Sequence, residues 1–159
     1  MNDNKISLFA YSKNRSIFSD CSLVETIKCI SELQAPGYTH VDFQDIESML
    51  ENCNHAVVTS TIGEGSNRIP DAISKIFASS LWKENDLQLS QKIFIKLLCA
   101  RDTDNPVNVK EISELTKVTS NLPDSVDFEW IIGDDSSLGD KVKLILFGAF
   151  KKKSLFNHL

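Results

Sequence analysis

With 159 residues, 42% of them hydrophobic and 25% charged, the chain has the length and composition of one folded domain and no room for a long disordered region. Its formal net charge of -5 excludes a protein whose main work is neutralising nucleic-acid phosphates, and no apolar window approaches the length of a membrane span. Cys21, Cys29, Cys53 and Cys99 are far apart, with no C-x-x-C pair and no His at zinc-ligand spacing, so a reduced, cytoplasmic protein without metal or cofactor is expected.

Met1 to Tyr11 lacks the apolar core of a signal peptide, and Ile6 to Phe9 is a candidate strand in an N-terminal extension over residues 1–19. From Ser22 to Leu33, apolar Leu23, Val24, Ile27, Ile30 and Leu33 fall at helical spacing, and Gln34-Ala35-Pro36-Gly37 stops that helix. A second helix follows with Asp42 as its N-cap and Asp45 three residues on; Phe43, Ile46, Met49, Leu50 and Cys53 form its buried stripe.

Ala56 to Thr61 reads as a strand ended by Gly63-Glu64-Gly65. Ser66 is the expected cap of a third helix carrying Ile69, Ala72, Ile73, Ile76 and Phe77, with Pro70 in its first turn. Leu81 to Ser90 reads as a polar surface connection on which Trp82 is an exposed candidate interface anchor, since Trp is enriched at binding hot spots. Lys92 to Cys99 is apolar almost without a break and reads as a largely buried strand. A helix is expected from about Asn108 to Leu122 with Val109, Ile112, Leu115 and Val118 inward. Val126, Phe128, Trp130 and Ile132 alternate as in a half-buried strand; a turn through Asp134-Asp135-Ser136-Ser137 leads to a last strand, Lys141 to Phe147. The order implies a two-layer α/β (α+β) sandwich, a mixed four-stranded sheet covered by helices. Residues 151–159 form a short tail opened by Lys151-Lys152-Lys153.

Leu23 to Asp45 resembles a stretch of the FtsZ and tubulin family in which a helix ending in an Ile-Ser-Asp/Glu-Leu tetrad leads through Pro-Gly to an acidic N-x-D-F-x-D signature. Here Ile30-Ser31-Glu32-Leu33, Pro36-Gly37 and Asp42-Phe43-Gln44-Asp45 stand in that order, with His40 where the family has Asn. Gly63 to Arg68 followed by Asp71-Ala72-Ile73 is similar to the family's G-x-x-x-G-E-x-R-A helix start, Ala78 to Leu81 to its S-S-P-L stretch, and Phe128 to Phe150 to its last two strands. The resemblance covers roughly residues 20–150 and is to the C-terminal domain.

The resemblance implies the fold of that domain and a role in a cell-division cytoskeleton. In the family, the acidic loop of one subunit meets GTP held by the next. Asp42 and Asp45 would then orient the attacking water in trans. Read from the residues alone, the same two aspartates serve as helix-capping groups. The family's phosphate loop, G-G-G-T-G-S/T-G, has no counterpart among the six glycines, so no nucleotide binding and no enzyme activity by the chain alone are expected. The expected partner is a protein, either an FtsZ-type GTPase or a second copy, met through Pro36, Gly37, His40, Phe43 and Trp82; nucleic acid and stable membrane insertion are not expected. Two other readings stay open: a small-ligand-binding or metabolic oligomeric domain, and a piece of a longer GTPase.

His40, His55 and His158 give no triad by spacing, and no G-x-S-x-G elbow is present. Asp134, Asp135 and Asp140 lack the position pattern of a calcium loop and read as hairpin-solvating residues.

Overall fold

A computed structural model describes residues 4–7, 16–19, 55–79, 81–82 and 86–150. The two helices expected between residues 22 and 53 lie outside these residues, as does the tail. The strands are β1 (Asn4–Ser7), β2 (Ser16–Ser19), β3 (His55–Gly63), β4 (Lys92–Cys99), β5 (Asp127–Asp134) and β6 (Val142–Phe150). They form one sheet in the order β1-β2-β3-β6-β4-β5. The β3-β6 and β6-β4 pairs are antiparallel and β4-β5 is parallel, which is the expected mixed four-stranded sheet. The N-terminal strands widen it to six: β1 pairs antiparallel with β2, and β2 parallel with β3.

Side chains alternate across each strand, and one set faces the helices. Val57 of β3, Ile93, Ile95 and Leu97 of β4, and Val142, Leu144 and Leu146 of β6 share a core with Ile69, Ala72 and Ile76 of α1 (Arg68–Ala78) and with Leu115. Each buried aliphatic side chain contributes roughly 1.5–3 kcal/mol. The second set is buried as well: Phe94, Phe147, Ile145, Ile131 and the aliphatic stem of Lys96 are all within about 1% of full burial. Ile131 therefore corrects the alternation expected of β5. The inward Val126 is buried as expected, but Phe128 is 39% exposed at the sheet's margin and Ile131, on the opposite face, is not.

α1 starts one residue later than expected. Asn67, not Ser66, occupies the cap position, and it makes no side-chain cap bond. The turn is held instead by Asp71, whose Oδ2 accepts from the Glu64 amide at 3.1 Å, and by Lys75, whose Nζ donates to the Ile62 carbonyl at 2.8 Å. Pro70 lies in the first turn as expected.

The helix expected from Asn108 is broken into α2 (Val109–Ile112), a 3₁₀ turn (Ser113–Leu115) and α3 (Thr116–Thr119). The cause is local. The hydroxyls of Ser113, Thr116, Thr119 and Ser120 each donate to the carbonyl three residues back, competing with the regular ladder. Val109, expected inward, stands on the first turn at 83% exposure, while Leu115 is buried.

Gly63 ends β3 where α1 doubles back. A Cβ there would lie 1.8 Å from the Arg68 carbonyl oxygen and 3.0 Å from the Ala72 Cβ, so strand and helix approach too closely for any side chain. Gly65 has φ +85° but open space around it. Gly63→Ala is expected to lose about 3 kcal/mol of stability through overpacking, and Gly65→Ala about 1 kcal/mol through backbone strain alone. Urea unfolding of the two variants checks the ranking; equal losses would contradict the close approach.

Candidate functional site

The sequence placed its candidate contact in Pro36, Gly37, His40, Asp42, Phe43 and Asp45, all of which lie outside the described residues. Trp82 is described and corrects the expectation of an exposed anchor. It is 6% exposed; its Nε1 donates to Thr59 Oγ1 at 2.6 Å, and its ring meets Phe77 and Phe150 at 6.5 and 6.4 Å between centroids. A Cβ at Gly148 would come 3.0 Å from the indole, so that glycine of β6 opens the slot the ring fills. The polar neighbours of Trp82 concealed an apolar side chain with one satisfied N–H, a common core arrangement.

The densest polar assembly among the described residues is centred on Arg68, the first residue of α1, at 2% exposure. Its Nε donates to Glu111 Oε2 at 2.7 Å and one terminal nitrogen to Glu111 Oε1 at 2.9 Å, a bidentate pair. The other terminal nitrogen donates to the carbonyls of Asn105 at 2.8 Å and Asp140 at 2.9 Å. One guanidinium thus ties together the start of α1, the connection after β4, the first turn of α2 and the turn before β6. Glu111 is fixed in turn by a capping box, accepting from the Asn108 amide while the Asn108 side chain accepts from the Glu111 amide.

Electrostatics follow the geometry. The Glu111 bond raises the pKa of Arg68 above its ordinary value, and the Arg68 bond, opposed by partial burial, lowers that of Glu111. Cys99, at the end of β4, is pushed up, first by burial and against the pull of Arg68, so it stays a thiol rather than a nucleophilic thiolate. The acidic turn is similarly committed: Asp134 accepts from the Arg101 amide, Asp135 from Ser137, and Asp140 from Thr103 Oγ1 at 2.6 Å. Among the described residues no group of three or more His, Cys, Asp or Glu side chains is arranged to hold a metal ion. Chemically this end of the sheet is a lock, with four of the five guanidinium N–H groups already spent. In the sequence Arg68 stands out only as part of a motif, and its partner is legible only through Asn108-x-x-Glu111, the signature of a capping box.

No family model matches the chain. In sequence it is 25% identical over 132 residues to the cell division protein FtsZ of Porphyromonas gingivalis; the match takes in 82% of this chain, which spans only 28% of that protein's length, in its C-terminal part. In fold it is similar to an empty FtsZ dimer of M. jannaschii, with a TM-score of 0.65 at 22% identity over 80% of this chain and 36% of that one. It is also similar to CetZ2 from Haloferax volcanii in a GTPγS-bound protofilament, with a TM-score of 0.50 at 12% identity over 84% and 40% of the two chains. The chain resembles the C-terminal part of FtsZ, and its α/β fold is that of the FtsZ and tubulin type. Among the described residues no helix is long and apolar enough to cross a membrane.

Removing Glu111 leaves a buried, uncompensated guanidinium, so Glu111→Gln is expected to cost about 3 kcal/mol. Because the pKa of Glu111 is lowered in the folded state, its contribution is present above the ordinary glutamate range and fades as pH falls through the folded value. Thermal melts between neutral and strongly acidic pH should show the wild type and Glu111→Gln converging at the acid end; curves that stay parallel would refute the assignment.

Proposed function

We propose that this chain is a protein-interaction module of the FtsZ C-terminal type that docks on an FtsZ-type GTPase subunit through the segment from Pro36 to Asp45. The observation that carries the reading is the agreement of a sequence likeness and a fold likeness, each over about four-fifths of the chain, on the same part of the same protein. The M. jannaschii FtsZ is a dimer and the Haloferax CetZ2 a nucleotide-bound protofilament, which supports a contact between subunits as the setting.

In that contact the nucleotide belongs to the partner, since this sequence has no glycine cluster by which backbone amides approach phosphates. Asp42 and Asp45 supply two carboxylates to the neighbouring site, where they orient water against the terminal phosphate and help hold a cation. Phe43 lies between them in sequence as an apolar anchor, Pro36-Gly37 sets the loop's path, and His40 brings an imidazole ring. The process served is division of the cell through a filament of this type.

Adding the purified chain to a polymerising FtsZ from the same cell should change phosphate release several-fold and bring the chain down with sedimenting filaments. Asp42→Asn with Asp45→Asn should abolish that change in release where the pair acts on water, while co-sedimentation persists. Unchanged release and sedimentation at several-fold excess of the chain would sink the reading.

A further inference from the structure

Four large apolar side chains are exposed among the described residues, and three of them gather at one end of the molecule. Phe128 lies in the opening of β5, Leu89 closes the 3₁₀ turn Leu87–Leu89 before β4, and Phe77 lies in the last turn of α1. β6 finishes at the same end: the Gln91 amide donates to the Ala149 carbonyl at 2.8 Å, and the Asp127 amide to the Gln91 carbonyl at 3.2 Å. Phe77 meets Trp82, whose ring also meets Phe150 at the close of β6. Val109, the fourth, stands apart on the first turn of α2.

The margin of this apolar patch is acidic. Asp127 and Glu129 share Lys92 at 3.0 and 3.2 Å, and their side chains are 69% and 46% exposed. Two carboxylates against that one ammonium leave an excess of negative charge. The chain that continues from Phe150 carries the complement in order, Lys151-Lys152-Lys153 first and then Leu155 and Phe156. β6 and β5 flank β4, so their axes are about 10 Å apart. Residues 151–159, when extended, span about 30 Å. The lysines are therefore within reach of Asp127 and Glu129, and the two apolar residues within reach of Leu89 and Phe128.

We propose that residues 151–159 dock on their own domain at this end of the sheet, with Lys151-Lys152-Lys153 beside Asp127 and Glu129, and with Leu155 and Phe156 over Leu89 and Phe128. A segment tethered at Phe150 closes only a short loop and meets the patch at an effective concentration on the order of millimolar. A second copy laid patch to patch would bring Asp127 and Glu129 against their own kind. Charge and tethering thus both select the chain's own tail. This contact is separate from the one proposed for Pro36 to Asp45 and does not depend on it.

The test is limited trypsin digestion of the full chain. Mass spectrometry times the cut after Lys153 against the cut after Lys117, whose side chain is 72% exposed. Rates on free peptides of residues 151–159 correct for changes in the cleavage sequence itself. Leu155→Ser with Phe156→Ser should speed the relative cut by about tenfold, through loss of two covered apolar side chains. Asp127→Asn with Glu129→Gln should speed it about fivefold, the upper range for a surface ion pair. Leu89→Ser, on the exposed turn, gives a second patch variant should that pair disturb folding. An unchanged ratio in the tail variant would overturn the proposal. So would a tail variant that speeds the cut while neither patch variant does, or protection that grows with protein concentration, as docking on a second copy would give.

Discussion

The described fold depends on one guanidinium. Arg68 stands where β3 turns into α1, and through its four hydrogen bonds it fixes the two connections that leave the far ends of β4 and β5. Without Gly63 the carbonyl of Arg68 would have no room, and without Glu111 the charge would have no counterion in a buried place. Sheet, helix and loops thus converge on one residue whose side chain and backbone are both constrained. A buried, paired charge of this kind is a weak source of net stability and a strong specifier of geometry, because alternative packings would leave it unsatisfied.

Parts of this were legible in the chain. The apolar run of β4 predicts its observed ends, Lys92 and Cys99, since a strand buried on both faces needs no alternation to be recognised. β5 was harder. Its alternation suggested one buried face, but Ile131 is buried on the other, and only the sheet's second covered face explains it. Trp82 misled because its neighbours are polar, and neither the slot at Gly148 nor the acceptor at Thr59 can be seen from sequence proximity. The helix after Asn108 keeps its expected start and its inward Leu115 but loses its regularity to a row of hydroxyl side chains, a local competition that periodicity does not register.

The candidate contact shows a different balance. The acidic signature around Phe43 was legible only as a resemblance, since two aspartates at a helix start look the same whether they cap or act on water. The likenesses in sequence and fold to the C-terminal part of FtsZ bear on ancestry and on the scaffold.

The strand order at the N-terminal margin has a topological consequence. β2 and β3 run in the same direction, with Ser16 beside His55 and Ser19 beside Val58. The connection from β2 to β3 is therefore a crossover from one end of the sheet to the other, and β3 is paired on its far side with β6 as well. Pairing β2 with β3 closes that connection at a cost in chain entropy. Loosening the small β1–β2 pair would release the chain at Ser19 and leave it held at His55, which is also paired with Phe150.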